Sequence, residues 1–319
     1  MEIRIQPQRK VVPMFGIVMV PLDGSELAES ALPFALTLAE RSGGELHLVQ
    51  VAATLRPFTP SGAPDPDGPP SPEEARERST RYLEDVRSRV REAGSPVGVR
   101  THVLSGRPVE ALFGWILKEG VDQVVMTTHG RGRFQRIWLG SVAEGLVRSA
   151  PAPVLLWRKE GIGPPDLTKQ PSLSRILLAL DGTESSESMI PRAEEMARLF
   201  GASLSLVGVI PALVPFGSPY LPHAVVEEGE RGVRRLWLEK HLGRLAEEIR
   251  SRGVQVDHEV VLGPPAHEGI LEQGSRKGAD MVALSTRGRG PGTRLLLGSV
   301  ADKVIRGSTA HVLVNQASE

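Results

Sequence analysis

The chain contains no cysteine, which removes disulfides, thiolate catalysis and cysteine-ligated zinc together and makes a secreted, disulfide-stapled fold untenable. It has no excess of either charge: 38 lysines and arginines balance 38 aspartates and glutamates. No global field therefore draws it to nucleic acid or to an anionic membrane, and any polyanion site must be local. No uninterrupted apolar run approaches the roughly 20 residues of a membrane span, and residues 1–10 lack the apolar core of a signal peptide. A cytoplasmic location is the expectation. No His/Asp/Glu spacing resembles a metal site, and neither paired carboxylates nor a Ser-His-Asp order stands out. No Walker lysine or general base suggests fast phosphoryl transfer.

What is present is a repeat. With 319 residues, 40% of them hydrophobic, the chain has the size and composition of a two-domain globular protein. Asp23-Gly24-Ser25 returns as Asp181-Gly182-Thr183, Val51 as Val209, Gly130 as Gly288 and Gly140 as Gly298, each 158 positions on. The text Leu-Gly-Ser-Val-Ala-Glu at 139–144 returns as Leu-Gly-Ser-Val-Ala-Asp at 297–302. One unit of about 150 residues is thus used twice. The expected division is 13–158 and 173–319, joined by a Gly- and Pro-rich linker at 159–172. Residues 1–12 read as a tail, with an added edge strand as the alternative.

Strand and helix alternate within each unit. Short apolar runs at 17–22 and 176–180 read as buried parallel strands, and Asp-Gly-Ser or Asp-Gly-Thr then turns the chain. The first helix of each unit carries its apolar residues on one face: Ala31, Phe34, Ala35 and Leu38 in the first, Met189, Ala193, Met196 and Ala197 in the second. Second strands are expected at 46–51 and 204–209, followed by Pro-rich surface connections at 57–72 and 211–222. Charged helices at about 73–93 and 224–252 point Tyr82, Val86 and Val90, or Leu238, Leu242, Leu245 and Ile249, inward. Further strands are expected at 97–104 and 254–262, at 123–127 and 281–285, and at 153–157 and 311–315. Five strands alternating with four helices imply right-handed crossovers and a parallel sheet covered on both faces.

Chemistry concentrates where strands end. In a doubly wound sheet, ligands sit beyond the carboxyl ends of the strands, at the point where strand order reverses. Asp23 or Asp181, Val51 or Val209, and Thr127-x-x-Gly130 or Ser285-x-x-Gly288 all fall at such ends. They are placed to line one crevice per unit. A Gly- and Arg-rich loop follows, and Gly140-Ser141 or Gly298-Ser299 opens a helix whose first amides have no partner within it. That is how a backbone cradle for phosphate is built. The dipole of one helix contributes roughly 0.3 to 1 kcal/mol, so hydrogen bonds must supply most of the affinity.

These features resemble the universal stress protein family in its tandem form, across nearly the whole chain and in both halves. The likeness rests on the early Asp-Gly-Ser/Thr, the strand order, and the nucleotide pattern Gly-x2-Gly-x9-Gly-Ser/Thr. The resemblance implies two flavodoxin-like α/β domains of the adenine nucleotide alpha-hydrolase type, each a five-stranded parallel sheet flanked by about four helices. It implies ATP as ligand, Mg²⁺ only with the nucleotide, and a stress-response role as sensor or regulator with at most slow hydrolysis. Asp23 and Val51, or Asp181 and Val209, would meet adenine or ribose. Gly130, Gly140 and Ser141, or Gly288, Gly298 and Ser299, would hold phosphate. The sequence departs from the pattern at its first glycine, which is Thr127 in one half and Ser285 in the other, and Pro291 adds a departure in the second loop. An interaction module that does without nucleotide is therefore the rival reading. A third, an alpha-hydrolase-type enzyme, lacks its Ser-Gly-Gly-x-Asp-Ser signature.

Several residues also have plain structural readings. Asp23 and Asp181 suit turns bonded to their own backbone. Arg131, Arg133, Arg136, Arg289 and Arg294 suit a solvated loop, and His129, whose counterpart is Arg287, does not suit a shared base. Trp115, Trp138, Trp157 and Trp237 suit core or interface packing. The last strands, around 154–157 and 312–314, are apolar sheet edges that invite pairing. In the family that edge forms the dimer, so the expectation is an intrachain pseudo-dimer of the two halves, with a homodimer of chains as a further step.

Overall fold

The computed structural model describes residues 13–52, 71–128, 139–158, 163–212, 223–287 and 297–317. The first half supplies strands β1 (Ile17–Pro21), β2 (Glu45–Val51), β3 (Gly98–Leu104), β4 (Gln123–Thr127) and β5 (Val154–Trp157). The second supplies β6 (Arg175–Ala179), β7 (Ser203–Pro211), β8 (Val256–Gly263), β9 (Met281–Arg287) and β10 (His311–Ala317). All ten form one sheet in the order β3-β2-β1-β4-β5-β10-β9-β6-β7-β8. Pairing is parallel within each half and antiparallel only where β5 meets β10, Leu156 opposite Val312 and Val154 opposite Val314.

The two exposed edges thus cover each other, which removes the unpaired apolar strand each half would otherwise present. Two apolar layers sandwich the sheet, and each draws side chains from both halves. Phe34 stacks on Phe200 with ring centroids 5.1 Å apart and on Trp157 at 4.4 Å. Polar groups tie the seam as well. Buried Gln123 donates to the Val124 and Pro153 carbonyls, joining β4 to the start of β5, while its Oε1 accepts from Arg192 of the other half at 3.3 Å. The repeat is kept in detail: Asp122 accepts from the Ile17 amide at 2.8 Å, and Asp280 accepts from the Ser174 and Arg175 amides at 2.6 and 3.0 Å. In each half a carboxylate satisfies the amide that opens the first strand.

The helices of the first half are α1 (Glu26–Glu29), α2 (Leu32–Ser42), α3 (Pro72–Glu92), α4 (Pro108–Glu119) and α5 (Ser141–Ser149); α6 (Glu184–Glu187), α7 (Ile190–Phe200), α8 (His223–Ser251), α9 (Ala266–Arg276) and α10 (Ser299–Gly307) repeat them. The expected first helix is therefore two pieces in each half, making five helices rather than four among the described residues. Pro33 and Pro191 lie in the first turn of the second piece. With no N–H, each proline forces a break before it and is tolerated only at a helix start. The capping box at Ser71 and Glu74 opens α3 at Pro72, so that residue belongs to the helix and not to the connection before it. The tail at 1–12 and most of the two Pro-rich connections lie outside the described residues.

Candidate functional site

Strand order reverses between β1 and β4 in the first half and between β6 and β9 in the second. Beyond β1 and β4 the first half opens a cavity of about 670 Å³, within the 300 to 1,000 Å³ usual for small-molecule sites. It is lined by Asp23, Gly24, Val51, Thr127, Gly140 and Ser141 among others. Five of the six predicted first-half residues thus share one concavity; Gly130 lies outside the described residues, as do His129 and the arginines at 131, 133 and 136.

Each wall has a local cause. Gly24 sits at φ +85°, a left-handed conformation that glycine adopts without strain, and it turns the chain away from β1. Asp23 Oδ1 accepts from the Ser25 amide at 2.9 Å and from its hydroxyl at 2.6 Å, and Ser25 Oγ caps α1 at the Ala28 amide. Asp23 therefore holds the turn as well as facing the cavity. Thr127 ends β4 and is buried, so its side chain is part of the cavity floor. Gly140 caps α5 with no side-chain hydrogen bond to the helix, which leaves the first amides of α5 at the cavity wall for an incoming acceptor.

Residues that the sequence did not assign to the site complete the wall. Ala75, Arg78, Ser79 and Tyr82 of α3 line it, together with Gln50. Their spacing, i, i+3, i+4 and i+7, is one face of a helix, but nothing in the sequence tells which face looks toward the crevice. Tyr82 is fixed by Glu29, a buried carboxylate that accepts from the phenol at 2.9 Å and from both terminal nitrogens of Arg89 at 2.9 and 3.0 Å. Burial, then the bond to Glu29, holds the Tyr82 phenol well above its ordinary range. Gln50 keeps a buried Oε1 with no hydrogen-bond partner among the described residues.

The second half is built differently. Asp181 repeats the turn, accepting from the Thr183 amide and hydroxyl. Gly298 caps α10, again with no side-chain bond, and Ser299 opens it. Val209, expected at the end of its strand, is followed by two more residues of β7. Ser285, expected to begin the loop, is inside β9, because β10 runs on to Ala317 and pairs with Thr286 and Arg287. The Ser285 hydroxyl lies 3.2 Å from that of Ser188. Gly288, Pro291 and the arginines at 289 and 294 lie outside the described residues. Of the tryptophans, Trp157 is buried at the seam and Trp115 packs against His102 with ring centroids 4.5 Å apart and planes tilted by 44°, whereas Trp237 is half exposed.

A doubly wound sheet with an uncapped helix start at its switch point defines a flavodoxin-like α/β domain, here in tandem. The sequence model of the Universal stress protein family matches residues 14–158 and again 173–315. The chain belongs to that family. A universal stress protein of Mycobacterium tuberculosis is 27% identical over 302 residues, covering 94% of this chain and 97% of its own. One from Thermus aquaticus is 35% identical over 148 residues, all of that protein and 46% of this one. Among solved structures, a universal stress protein of Archaeoglobus fulgidus shares the fold with a TM-score of 0.70 at 21% identity, covering 95% of this chain and 99% of that one. Among the described residues no helix is long and apolar enough to cross a membrane, and no cluster of three or more His, Asp or Glu is arranged to hold a metal.

Proposed function

We propose that this protein is an ATP-binding regulator of the stress response, with the nucleotide seated in the crevice beyond β1 and β4. One observation carries the reading: the uncapped start of α5, at Gly140 and Ser141, borders the same cavity as Asp23 and Val51. A polyanion and a nucleoside can therefore be held by one continuous wall. The phosphates would accept from the first amides of α5, the ribose would meet Asp23, and the base would lie against Val51 and the α3 face. Mg²⁺ would arrive with the nucleotide, since phosphate oxygens supply most of its ligands in such sites.

Turnover, on this reading, is slow hydrolysis at most. The cavity wall has Asp23 and Arg78 but no lysine or glutamate among its described residues, so the groups that speed phosphoryl transfer are not gathered there. The protein would work in the cytoplasm as two units, 13–158 and 173–319, joined through 159–172.

Titration with Mg-ATP by calorimetry tests the proposal. A saturable heat at micromolar to low-millimolar ATP is expected, and no heat up to several millimolar removes the nucleotide claim. The rival reading, an interaction module indifferent to nucleotide, draws on Thr127, which places a side chain where a glycine would let the backbone approach phosphate. It predicts one thermal midpoint with and without ATP. Binding predicts a rise, since saturation at a hundred times the dissociation constant adds about 2.7 kcal/mol.

A further inference from the structure

We infer that the chain carries a single nucleotide, in its first half, and that the second half has filled its own crevice with Trp237 and Leu238. The inference rests on the nucleotide reading above, and names which of the two crevices serves it.

The two long helices can be aligned through a shared contact. Tyr82 of α3 bonds Glu29, and His241 of α8 bonds Glu187, the residue that repeats Glu29, at 2.6 Å. Counting back equally from Tyr82 and His241 sets Arg78 against Trp237 and Ser79 against Leu238. Buried Ser79 lines the first cavity. Leu238 is also buried, and it lies where cavity would otherwise be: its Cδ2 is 2.6 Å from the point a Cβ on Gly208 would occupy. Gly208 stands where the first half has Gln50. A bulky strand residue and a small helix residue in one half have become a glycine and a leucine in the other.

Trp237 closes the outer part. The edge of its indole is 2.6 Å from the point a Cβ on Gly182 would occupy, so it covers the Asp181-Gly182-Thr183 turn. The equivalent position at Gly24 has, among the described residues, only the Gln50 carboxamide within 4 Å, at 3.9 Å. The indole is held in place, stacked on His241 with ring centroids 5.0 Å apart and planes 8° from parallel, while His241 is anchored by Glu187. At the other end of the crevice, the strand ladder continues through Ser285, Thr286 and Arg287, opposite Asn315, Gln316 and Ala317. In the first half β4 ends at Thr127, opposite Trp157. Side chains therefore occupy the base end of the second crevice, and strand pairing takes up backbone at its phosphate end.

Calorimetry with Mg-ATP on the full chain, together with photo-crosslinking by 8-azido-ATP and peptide mapping, tests this. Expected are about one ATP per chain and adducts confined to first-half peptides, including α3. Gly140→Asp, which places a carboxylate at the start of α5, should weaken binding at least tenfold, with circular dichroism showing that the variant is folded. Trp237→Ala should leave the first site intact. Two ATP per chain, or adducts on α8, would overturn the inference while leaving the nucleotide reading in place. Loss of binding in Trp237→Ala would also overturn it, since the indole would then be a platform for the base and not a plug. The crosslink map does not depend on any variant folding. Absence of ATP binding in the parent protein overturns both readings.

Discussion

The imidazole of His311 lies flat on the indole of Trp157, ring centroids 3.5 Å apart and planes 10° from parallel, and its Nδ1 accepts the backbone N–H of Arg158 at 3.0 Å. Trp157 and Arg158 belong to the end of the first half and His311 to the last strand of the second. The two halves are thus joined through a histidine that must be neutral at Nδ1 to keep its bond.

That requirement predicts acid lability. Burial, then the nearby Arg158 charge, pulls His311 down from 6.5 to about 4, against a smaller opposing effect of Asp280. The unfolded chain takes up this proton near pH 6.5 and the folded one only near 4, so the stabilisation is complete above 6.5 and is lost as pH falls between them. The expected loss is about 3 kcal/mol. His47 and His102, whose rings lie 4.9 Å apart, are also held low, chiefly by burial, and add a loss of the same sign. Urea unfolding at pH 7.5, 6 and 4.5 reads the slope. His311→Phe, which keeps the stack, should flatten it, and an unchanged slope would falsify the assignment.

Arg158 itself staples the halves. Its Nε donates to the Ala310 carbonyl at 2.6 Å and its Nη2 to the Ile305 carbonyl at 2.8 Å, and burial lowers its pKa to about 10. Arg158→Met should cost about 2 to 3 kcal/mol, because two carbonyls lose a charged donor. Thermal unfolding measures this, and a change below about 0.5 kcal/mol would show that water replaces the guanidinium at no cost.

Glu29 should matter to the cavity as well as to stability. Glu29→Ala leaves Tyr82 and Arg89 without their shared acceptor, and removing one member of a buried charged network costs about 3 kcal/mol. If the first crevice binds ATP, affinity should also fall, since Tyr82 loses its anchor at the wall. Tyr82→Phe separates the two effects: it should cost stability by about 1 kcal/mol and leave the Glu29–Arg89 pair in place. Equal stability of Glu29→Ala and the parent would count against the network.

Gly44 offers a test of backbone packing. A Cβ there would stand 2.2 Å from the Phe15 carbonyl oxygen and 2.8 Å from that of Gly16, both main-chain atoms that cannot swing aside. Gly44→Ala should therefore destabilise by about 3 kcal/mol or more, unlike an ordinary exposed substitution. Gly43, at φ +68° with open space around its Cβ position, should lose only about 1 kcal/mol as alanine. Parallel melts of the two variants give the comparison, and equal losses would rule out the contact as the cause.

Much of the fold was legible in the chain because its signals are local. Runs such as Val124 to Met126 are wholly apolar, the inward stripe of α8 through Leu238, Leu242, Leu245 and Ile249 keeps helical spacing, and Asp-Gly followed by Ser or Thr marks the turn after the first strand of each half. The split of the first helix was also written there, in Pro33 and Pro191, though apolar periodicity across the break concealed it. The ends of β7 and β9 were not legible, because a strand ends where its neighbour stops offering partners, and β8 and β10 are remote in sequence.

By itself, then, the sequence determined two copies of one strand-and-helix unit, the turns and helix starts that face a crevice, and the apolar edges available for pairing. Local periodicity and a repeat of 158 residues suffice for these. Only the tertiary structure decided that the repeated motifs end in unlike places. Whether Arg78 and Ser79 border a cavity, and whether Trp237 and Leu238 fill one, depends on which face of a long helix packs over which strand. At Gln50 and Gly208 that packing meets opposite amounts of side chain, and no motif spacing contains that information.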